Sequence, residues 1–154
     1  TRSNMSSSDS DDDALQYSEV GDEEWLWLLL EACDSDDLER VQRLVEPVDD
    51  AMFFNILDEN GDSPLHRACR YGSTDVAKYL LTSDKLCLSA TITGYADVTP
   101  LHEACEGGHR DTVEYLMESD EVQVNASAQN VWGQTPVYHA CRRGRRDVVE
   151  YFLQ

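Results

Sequence analysis

Two histidine–cysteine pairs are the residues of this chain whose types and spacing could perform chemistry. His66 precedes Cys69, and His102 precedes Cys105, by about one helical turn, and imidazole and thiolate are ligands that zinc accepts. Each pair lies on its own segment, however, and a third copy of the pattern has Tyr138 in the histidine position. No carboxylate completes a tetrahedral ligand set at a spacing visible in the sequence. We therefore predict no metal and no cofactor at these positions.

A cysteine nucleophile activated by histidine is the other chemistry to consider. Such a cysteine needs an exposed, electropositive setting that lowers its pKa. Four cysteines instead follow alanine at a regular spacing, which is typical of small packing residues: Cys33, Cys69, Cys105 and Cys141. Neighbouring helices pack about 8–10 Å apart, too far for a disulfide, so we expect these four to be buried and reduced and Cys87 to be more reactive. Without a phosphate loop or a Ser-His-Asp signature, the chain is predicted not to be an enzyme.

The regular spacing belongs to a repeat of 36 residues. Residues 63–69 read Ser-Pro-Leu-His-Arg-Ala-Cys, residues 99–105 read Thr-Pro-Leu-His-Glu-Ala-Cys, and residues 135–141 read Thr-Pro-Val-Tyr-His-Ala-Cys. Ala32 and Cys33 add a fourth, less regular copy at the same spacing. A fixed period of this size is typical of stacked repeats, none of which can bury its apolar face alone.

Each clear copy contains the signals of two short helices that must position these residues. Serine or threonine before proline begins the first helix, because the hydroxyl caps a free N–H and proline lacks one. A glycine ends this helix in a left-handed conformation, and an aspartate begins the second, where its charge stabilises the helix dipole. The glycines are Gly72, Gly108 and Gly144, and the aspartates are Asp75, Asp111 and Asp147.

The pattern Thr-Pro-Leu-His-x-Ala, with a glycine four residues later and an apolar stretch ending in Leu-Leu, resembles the ankyrin repeat. The resemblance implies an all-α solenoid of helix–turn–helix repeats joined by β-hairpin finger loops. It places the repeats at about residues 22–56, 57–92, 93–128 and 129–154, so that the repeat domain spans residues 22–154. It also implies that His66 and His102 hydrogen-bond near the helix caps and tie neighbouring repeats together.

The first repeat is expected to cap the array. It lacks the Thr-Pro start, and Leu30 stands where later copies have histidine. Asp36 replaces the turn glycine, a tolerable change because aspartate visits the left-handed region more readily than most residues. We expect Trp25 and Trp27 together to cover the end of the core.

The fingers should be longer than is usual in the family, since the spacing here is 36 residues and the usual repeat has about 33. We place them at Asn55–Asp62, Thr91–Val98 and Ser127–Gln134. Gly61 and Gly133 supply the hairpin glycine. Asp97 replaces it in the middle finger, and Gly94 is the alternative residue for that role.

Composition narrows the class of partner. The net charge of −19 disfavours nucleic acid and anionic membranes. The longest apolar run, six residues from Trp25 to Leu30, is far shorter than the roughly 20 residues of a membrane span. Residues 1–21 are rich in serine and aspartate and are expected to form a disordered acidic tail. Reduced cysteines and the lack of a signal-peptide pattern predict a cytoplasmic or nuclear protein.

The expected function is that of a protein-binding scaffold or adaptor. Stacked repeats present a concave face, formed here by the fingers and by the first helices, and we predict that this face holds a protein partner. The residues expected to be exposed there and to contact the partner are Arg67, Arg70, Tyr71, Tyr95, Glu103, Glu106, Trp132, His139, Arg142 and Arg143. The alternative is an N-terminal regulatory or targeting region of a larger multidomain enzyme or adaptor, whose effector domain lies beyond residue 154.

Two features of the last repeats leave alternatives open. The arginines at 142, 143, 145 and 146, with Arg110 and His109, form a basic cluster. This cluster either receives a phosphate, an acidic peptide or the chain's own tail, or is a solvated turn neutralised by Glu103, Glu106 and Glu150. The last helix keeps the apolar pattern of internal helices at Val148, Val149, Phe152 and Leu153. We expect this end to fray and to self-associate, and the protein to be monomeric where further chain covers it.

Overall fold

The structure, a computed structural model, describes residues 21–48, 57–86 and 88–154. The helices of this part of the chain are α1 (Asp22–Asp34), α2 (Leu38–Val45), α3 (Pro64–Tyr71), α4 (Thr74–Thr82), α5 (Pro100–Gly107), α6 (Arg110–Glu118), α7 (Pro136–Arg142) and α8 (Arg146–Phe152). A short 3-10 turn covers Tyr95–Asp97. The predicted tail falls, except for residue 21, outside the described residues, as does Cys87.

The helices stack in two rows. Helices α1, α3, α5 and α7 pack side by side as an inner row, and α2, α4, α6 and α8 form an outer row behind them. Each inner helix also packs on the outer helix that follows it in the chain. This arrangement confirms the predicted all-α solenoid of helix–turn–helix repeats.

Local signals fix where the helices begin and end. The side chains of Ser63, Thr99 and Thr135 each accept a hydrogen bond from the backbone N–H three residues later, at the starts of α3, α5 and α7. The turn glycines all have positive φ angles, 72° at Gly72, 79° at Gly108 and 65° at Gly144. Asp36 takes the same conformation at a φ of 56°, as the sequence predicted for the first repeat.

Three of the four periodic cysteines lie in the core between the rows. Cys33, Cys69 and Cys105 are fully buried, and burial raises the pKa of Cys33 and of Cys105 to about 12. Such thiols stay protonated and do not act as nucleophiles. The predicted burial of Cys141 is wrong: this thiol is exposed. Cys69 and Cys105 have an inner helix on both sides, whereas the helix of Cys141, α7, packs in the described chain only on α5 within the inner row.

The first repeat closes the core with one tryptophan and not with two. Trp25 is buried, and its indole N–H donates to the Leu44 carbonyl at 3.0 Å. Trp27 is 60% exposed. Side chains two residues apart on a helix point about 200° apart, so the pair cannot face the same core, and the expectation for Trp27 is wrong.

The described finger residues form turns. Asp58 donates its N–H to Asp62 O, Gly94 to Val98 O, and Asn130 to Gln134 O, at 2.8–3.1 Å. Within the described residues these turns carry no assigned strand, so the predicted β-hairpins are not confirmed. The third and middle fingers are joined by a bond from Val131 N to Ala96 O, at 3.0 Å.

The middle finger does without a glycine at its left-handed position. Asp97 itself adopts a φ of 59°, close to the 77° of Gly61 and the 73° of Gly133. Gly94 has a φ of −94°, so its proposed substitution for the hairpin glycine is wrong. It is needed for a different reason, because a β-carbon there would lie 2.9 Å from Asp62 Oδ1 and 3.2 Å from His66 Nε2.

The last helix is better covered than its sequence suggested. Val148 is fully buried, Val149 and Phe152 are half-buried, and Leu153 is exposed just after α8 ends. Part of the apolar stripe is therefore open to solvent, and Val148 belongs to the part that is covered. Fraying and self-association of this end stay predictions.

Candidate protein-binding surface

The inner helices and the fingers share one surface, which we call the finger face. A depression of about 420 Å³ combines finger residues Glu59, Asn60 and Tyr95 with Arg70 of α3 and Glu103 of α5, among others. Nine of the ten residues expected to bind a partner belong to these elements, and Arg143 directly follows α7. The depression brings together three of them, Arg70, Tyr95 and Glu103, and the individual environments of the ten residues differ strongly.

A row of ion pairs joins successive inner helices across the finger face. Between α1 and α3, Arg67 Nε donates to Asp34 Oδ1 at 2.9 Å, and Arg67 Nη2 lies against the other carboxylate oxygen. The hydrogen bond that Arg67 donates to Asp34 raises the pKa of Arg67. Arg67 also lies 5.8 Å from the centroid of the Tyr71 ring. This arginine is thus held by its own chain.

The next pair joins α3 to α5 and reaches into the first finger. Arg70 Nε and Nη2 donate to the two carboxylate oxygens of Glu103 at 2.9 and 2.8 Å, and Nη2 also donates to Asp62 at 2.7 Å. The carboxylate of Glu103 raises the pKa of Arg70. Asp62 and Glu103 are both buried, so Arg70 neutralises two acids that have little contact with water.

The third pair joins α5 to α7. His139 Nδ1 donates to Glu106 Oε2 at 2.7 Å, and Arg143 Nη2 donates to Glu106 Oε1 at 2.6 Å. Burial alone would raise the pKa of Glu106, but these two hydrogen bonds hold it below its ordinary value. The other ring nitrogen of His139 lies 3.3 Å from Asn130 Nδ2, so the ring bridges the last finger and α5.

Two of the expected contact residues are consequently not available at the surface. Glu103 and His139 are buried, so the prediction that they are exposed is wrong. Each lies in the middle of an inner helix, where a charged partner on the preceding helix covers it. Arg67, Arg70 and Glu106 are partly exposed and engaged in the same ion pairs.

The remaining expected residues are open to solvent. Tyr95 is 71% exposed and Trp132 is 64% exposed, both on fingers, and Tyr71 is exposed at the end of α3. Arg142 and Arg143 are exposed at the end of α7. Sequence reasoning missed further exposed side chains of large hydrophobic residues, among them Trp27, Leu57, Val131 and Tyr138. Their exposure depends on which way each element faces, which local sequence does not reveal.

The two histidines that suggested zinc serve as structural ties. In α3, His66 Nδ1 accepts from the Ser63 N–H at 3.2 Å, while Nε2–H donates to Val98 O of the next finger at 2.9 Å. In α5, His102 does the same with Thr99 and Gln134. Burial lowers the pKa of both rings. Among the described residues, no group of three or more His, Cys, Asp or Glu side chains could hold a metal ion.

The basic cluster is used in part by the fold itself. His109 Nε2 donates to Arg70 O at 2.8 Å, and Arg145 Nε donates to Glu106 O at 2.9 Å. Each of these side chains thereby caps the final turn of an inner helix in the preceding repeat. The His109 ring fits against the end of α3 because residue 72 is glycine, since a β-carbon there would lie 2.3 Å from the ring.

The neutralising glutamates are only partly those expected. Glu106 contacts Arg143 and, at 3.7 Å, Arg142, and Glu150 contacts Arg146 at 2.9 Å. Glu103 is bound instead to Arg70. Arg142 and Arg143 remain exposed at the end of α7 despite these contacts.

Comparison with known proteins agrees with this architecture. The family model for ankyrin repeats (three copies) matches residues 14–90 and 83–154. The chain belongs to the ankyrin repeat family. A comparison with the curated proteins found no match. In the part of the chain that the structure describes, no helix is both long enough and apolar enough to cross a bilayer.

Membership of this family defines the general class of activity. Ankyrin repeats are protein–protein interaction modules and are typically not catalytic. The buried, protonated thiols and the tied histidines described above are those of a structural framework.

Proposed function

We propose that this chain is a non-catalytic scaffold or adaptor that binds a protein partner on its finger face. The outer row of helices supports this face from behind, and the ion pairs between inner helices hold it in one shape. A rigid surface loses little entropy when it binds, which favours affinity.

The observation that carries the proposal is an exposed indole on a finger whose backbone is held by hydrogen bonds. Trp132 is 64% exposed, yet its backbone N–H donates to Asn130 Oδ1 at 3.0 Å, and so does the N–H of Gln134. Neighbouring Val131 is bonded to the middle finger. Tryptophan, tyrosine and arginine dominate the binding energy of protein interfaces, and a preorganised tryptophan is well suited to such a role.

Tyr95 and the end of α7 extend the same surface. Tyr95 lies on the middle finger, next to Ala96, whose carbonyl accepts the bond from the last finger. Arg142, at the end of the last inner helix, and Arg143, directly after it, are exposed. We infer that the partner contacts the two later fingers and α7, and that Arg67, Arg70 and Glu106 chiefly maintain the shape of the face.

The test compares the finger face with the outer row. A partner identified by affinity capture is purified and titrated calorimetrically against Trp132→Ala, with Lys78→Ala on α4 as the matched control. Lys78 is exposed and lies over the ring of Tyr115 in the outer row. Trp132→Ala should weaken binding by about 2 kcal/mol or more, without lowering the unfolding temperature appreciably.

The opposite ranking would refute the proposal. If Lys78→Ala weakens the complex as much as expected of Trp132→Ala, and Trp132→Ala has no effect, the partner binds the outer row. Turnover of a substrate by the purified chain would refute the non-catalytic part.

A further inference from the structure

A second feature of the finger face lies at its other end, between α1 and the first finger. A groove of about 560 Å³ runs there, and we call it the N-terminal groove. Its apolar side chains are Leu26, Trp27 and Leu30 of α1 and Leu57 of the first finger. Trp27 and Leu57 are exposed, and Leu26 is half-buried. The groove thus offers a large apolar surface to solvent.

The exposure of Trp27 is imposed by the helix that carries it. Trp25 is anchored in the core by its bond to Leu44 O, and this fixes the rotation of α1 about its axis. Trp27 must then point away from the core. Because the backbone of Trp27 is already ordered in a helix, its indole can bury a large surface against a partner with little further loss of backbone entropy.

The rim of the N-terminal groove is acidic. Four carboxylates line it, namely Glu23, Glu31, Asp58 and Glu59. Among the described residues that line the groove, the one cation is Arg67, which is engaged by Asp34 and lies 3.9 Å from Asp58. Glu31 also contacts Arg40, whereas Glu23 and Glu59 are exposed. The uncompensated charge around the apolar floor is therefore negative.

We propose that the N-terminal groove binds a basic segment of a partner protein, in which one or two large apolar side chains are flanked by lysine or arginine. The apolar side chains pack on Trp27 and Leu57, and the cations face the carboxylates of the rim. Like charges disfavour the other occupants: a second copy carries a net charge of −19, and residues 9–13 of this chain contain four aspartates. The proposal rests on the protein-binding function above and names a second contact region for it.

The experiment selects ligands without assuming their sequence. A random twelve-residue peptide library displayed on phage is panned against the wild-type chain, Trp27→Ala and Trp132→Ala, and the bound pools are sequenced. The pool that Trp27→Ala fails to retain should be enriched in lysine and arginine next to leucine, isoleucine, phenylalanine or tryptophan.

Synthetic peptides from that pool then test the chemistry. They should bind the wild-type chain at least about tenfold more tightly than Trp27→Ala, the loss expected for an interface hot spot. Leu57→Ser supplies a second variant, so that the test does not depend on one substitution. Glu59→Gln should weaken binding a few-fold, and the affinity should fall as salt is raised, because the rim charges are exposed and screened.

Each other outcome overturns the inference. A pool that depends on Trp27 but lacks positive charge refutes the assigned chemistry, and the absence of any such pool refutes the site. If the selected peptides depend on Trp132 alone, the inference fails and the proposed function stands; if they depend on neither residue, both fail. Sedimentation showing a dimer that Trp27→Ala abolishes would assign the groove to a second copy.

Discussion

Arg70→Met removes the guanidinium that joins α3, α5 and the first finger while keeping a side chain of similar reach. In the folded chain Arg70 makes three hydrogen bonds, two with Glu103 and one with Asp62. The side chains of Asp62 and Glu103 are only 6% and 11% exposed, whereas that of Arg70 is 34% exposed. The variant therefore leaves two nearly buried carboxylates without this cation.

The expected loss of stability follows from that burial. Deleting one partner of a buried ion pair costs about 3–5 kcal/mol. Because a third of Arg70 remains in contact with water, we place the loss at the lower end, about 3 kcal/mol. The free energy of unfolding of an ordinary domain is about 5–15 kcal/mol, so the variant should lose a substantial fraction of it.

Urea unfolding followed by circular dichroism measures the effect. With a denaturant slope of about 2 kcal/mol/M, the midpoint should fall by about 1.5 M. The matched control is Arg146→Met, because Arg146 pairs with Glu150 one turn away on α8 and its side chain is 86% exposed. An exposed pair of this kind contributes about 0.5 kcal/mol or less.

A double-mutant cycle separates the pair from general damage to packing. Glu103→Gln and the double variant with Arg70→Met should reveal a coupling of at least about 1 kcal/mol between the two side chains. If Arg70→Met loses no more stability than Arg146→Met, or if the cycle is additive, the ion pairs do not hold the finger face together and the reasoning is refuted.

Two further predictions concern buried contacts of the fingers. Burial lowers the pKa of His66 and His102 below 6.5, so below about pH 6.5 the unfolded chain binds more protons than the folded chain. The free energy of unfolding should therefore be at its full value above about pH 6.5. It should fall as the pH drops below that value, by up to about 1.4 kcal/mol per ring per pH unit. NMR titration checks this, and ring pKa values at or above 6.5 would contradict it. Gly94→Ala should destabilise the chain by about 1–3 kcal/mol through overpacking against Asp62. A urea midpoint equal to that of the wild-type chain would show that the middle finger accommodates the extra methyl group without cost.

Much of the fold could be read directly from the sequence. The 36-residue period indicated stacking, and the Ser-Pro and Thr-Pro pairs and the glycines indicated helix boundaries that the structure confirms. Asp36 was identified as the left-handed residue of the first repeat, and it has a φ of 56°. These features were predictable because a cap or a left-handed turn depends on the residue itself and its nearest neighbours along the chain.

The pairing of side chains across the finger face was decided only by the tertiary structure. Repeat-equivalent positions lie 36 residues apart, but the hydrogen-bonded partners lie 33 apart: Asp34 with Arg67, Arg70 with Glu103, and Glu106 with His139. The end of one inner helix meets the middle of the next, an offset that the sequence period does not contain. This offset buries Glu103 and His139, which the sequence alone placed at the surface.

The same distinction separates the two tryptophans of α1. Both belong to the same short apolar run, and each is followed by a leucine. Only the packing of α1 on its neighbours selects Trp25 for the core and leaves Trp27 over the N-terminal groove. Residue type and spacing thus determined the repeat and its helices, whereas the rotation and offset of each helix in the stack determined which side chains remain free to bind a partner.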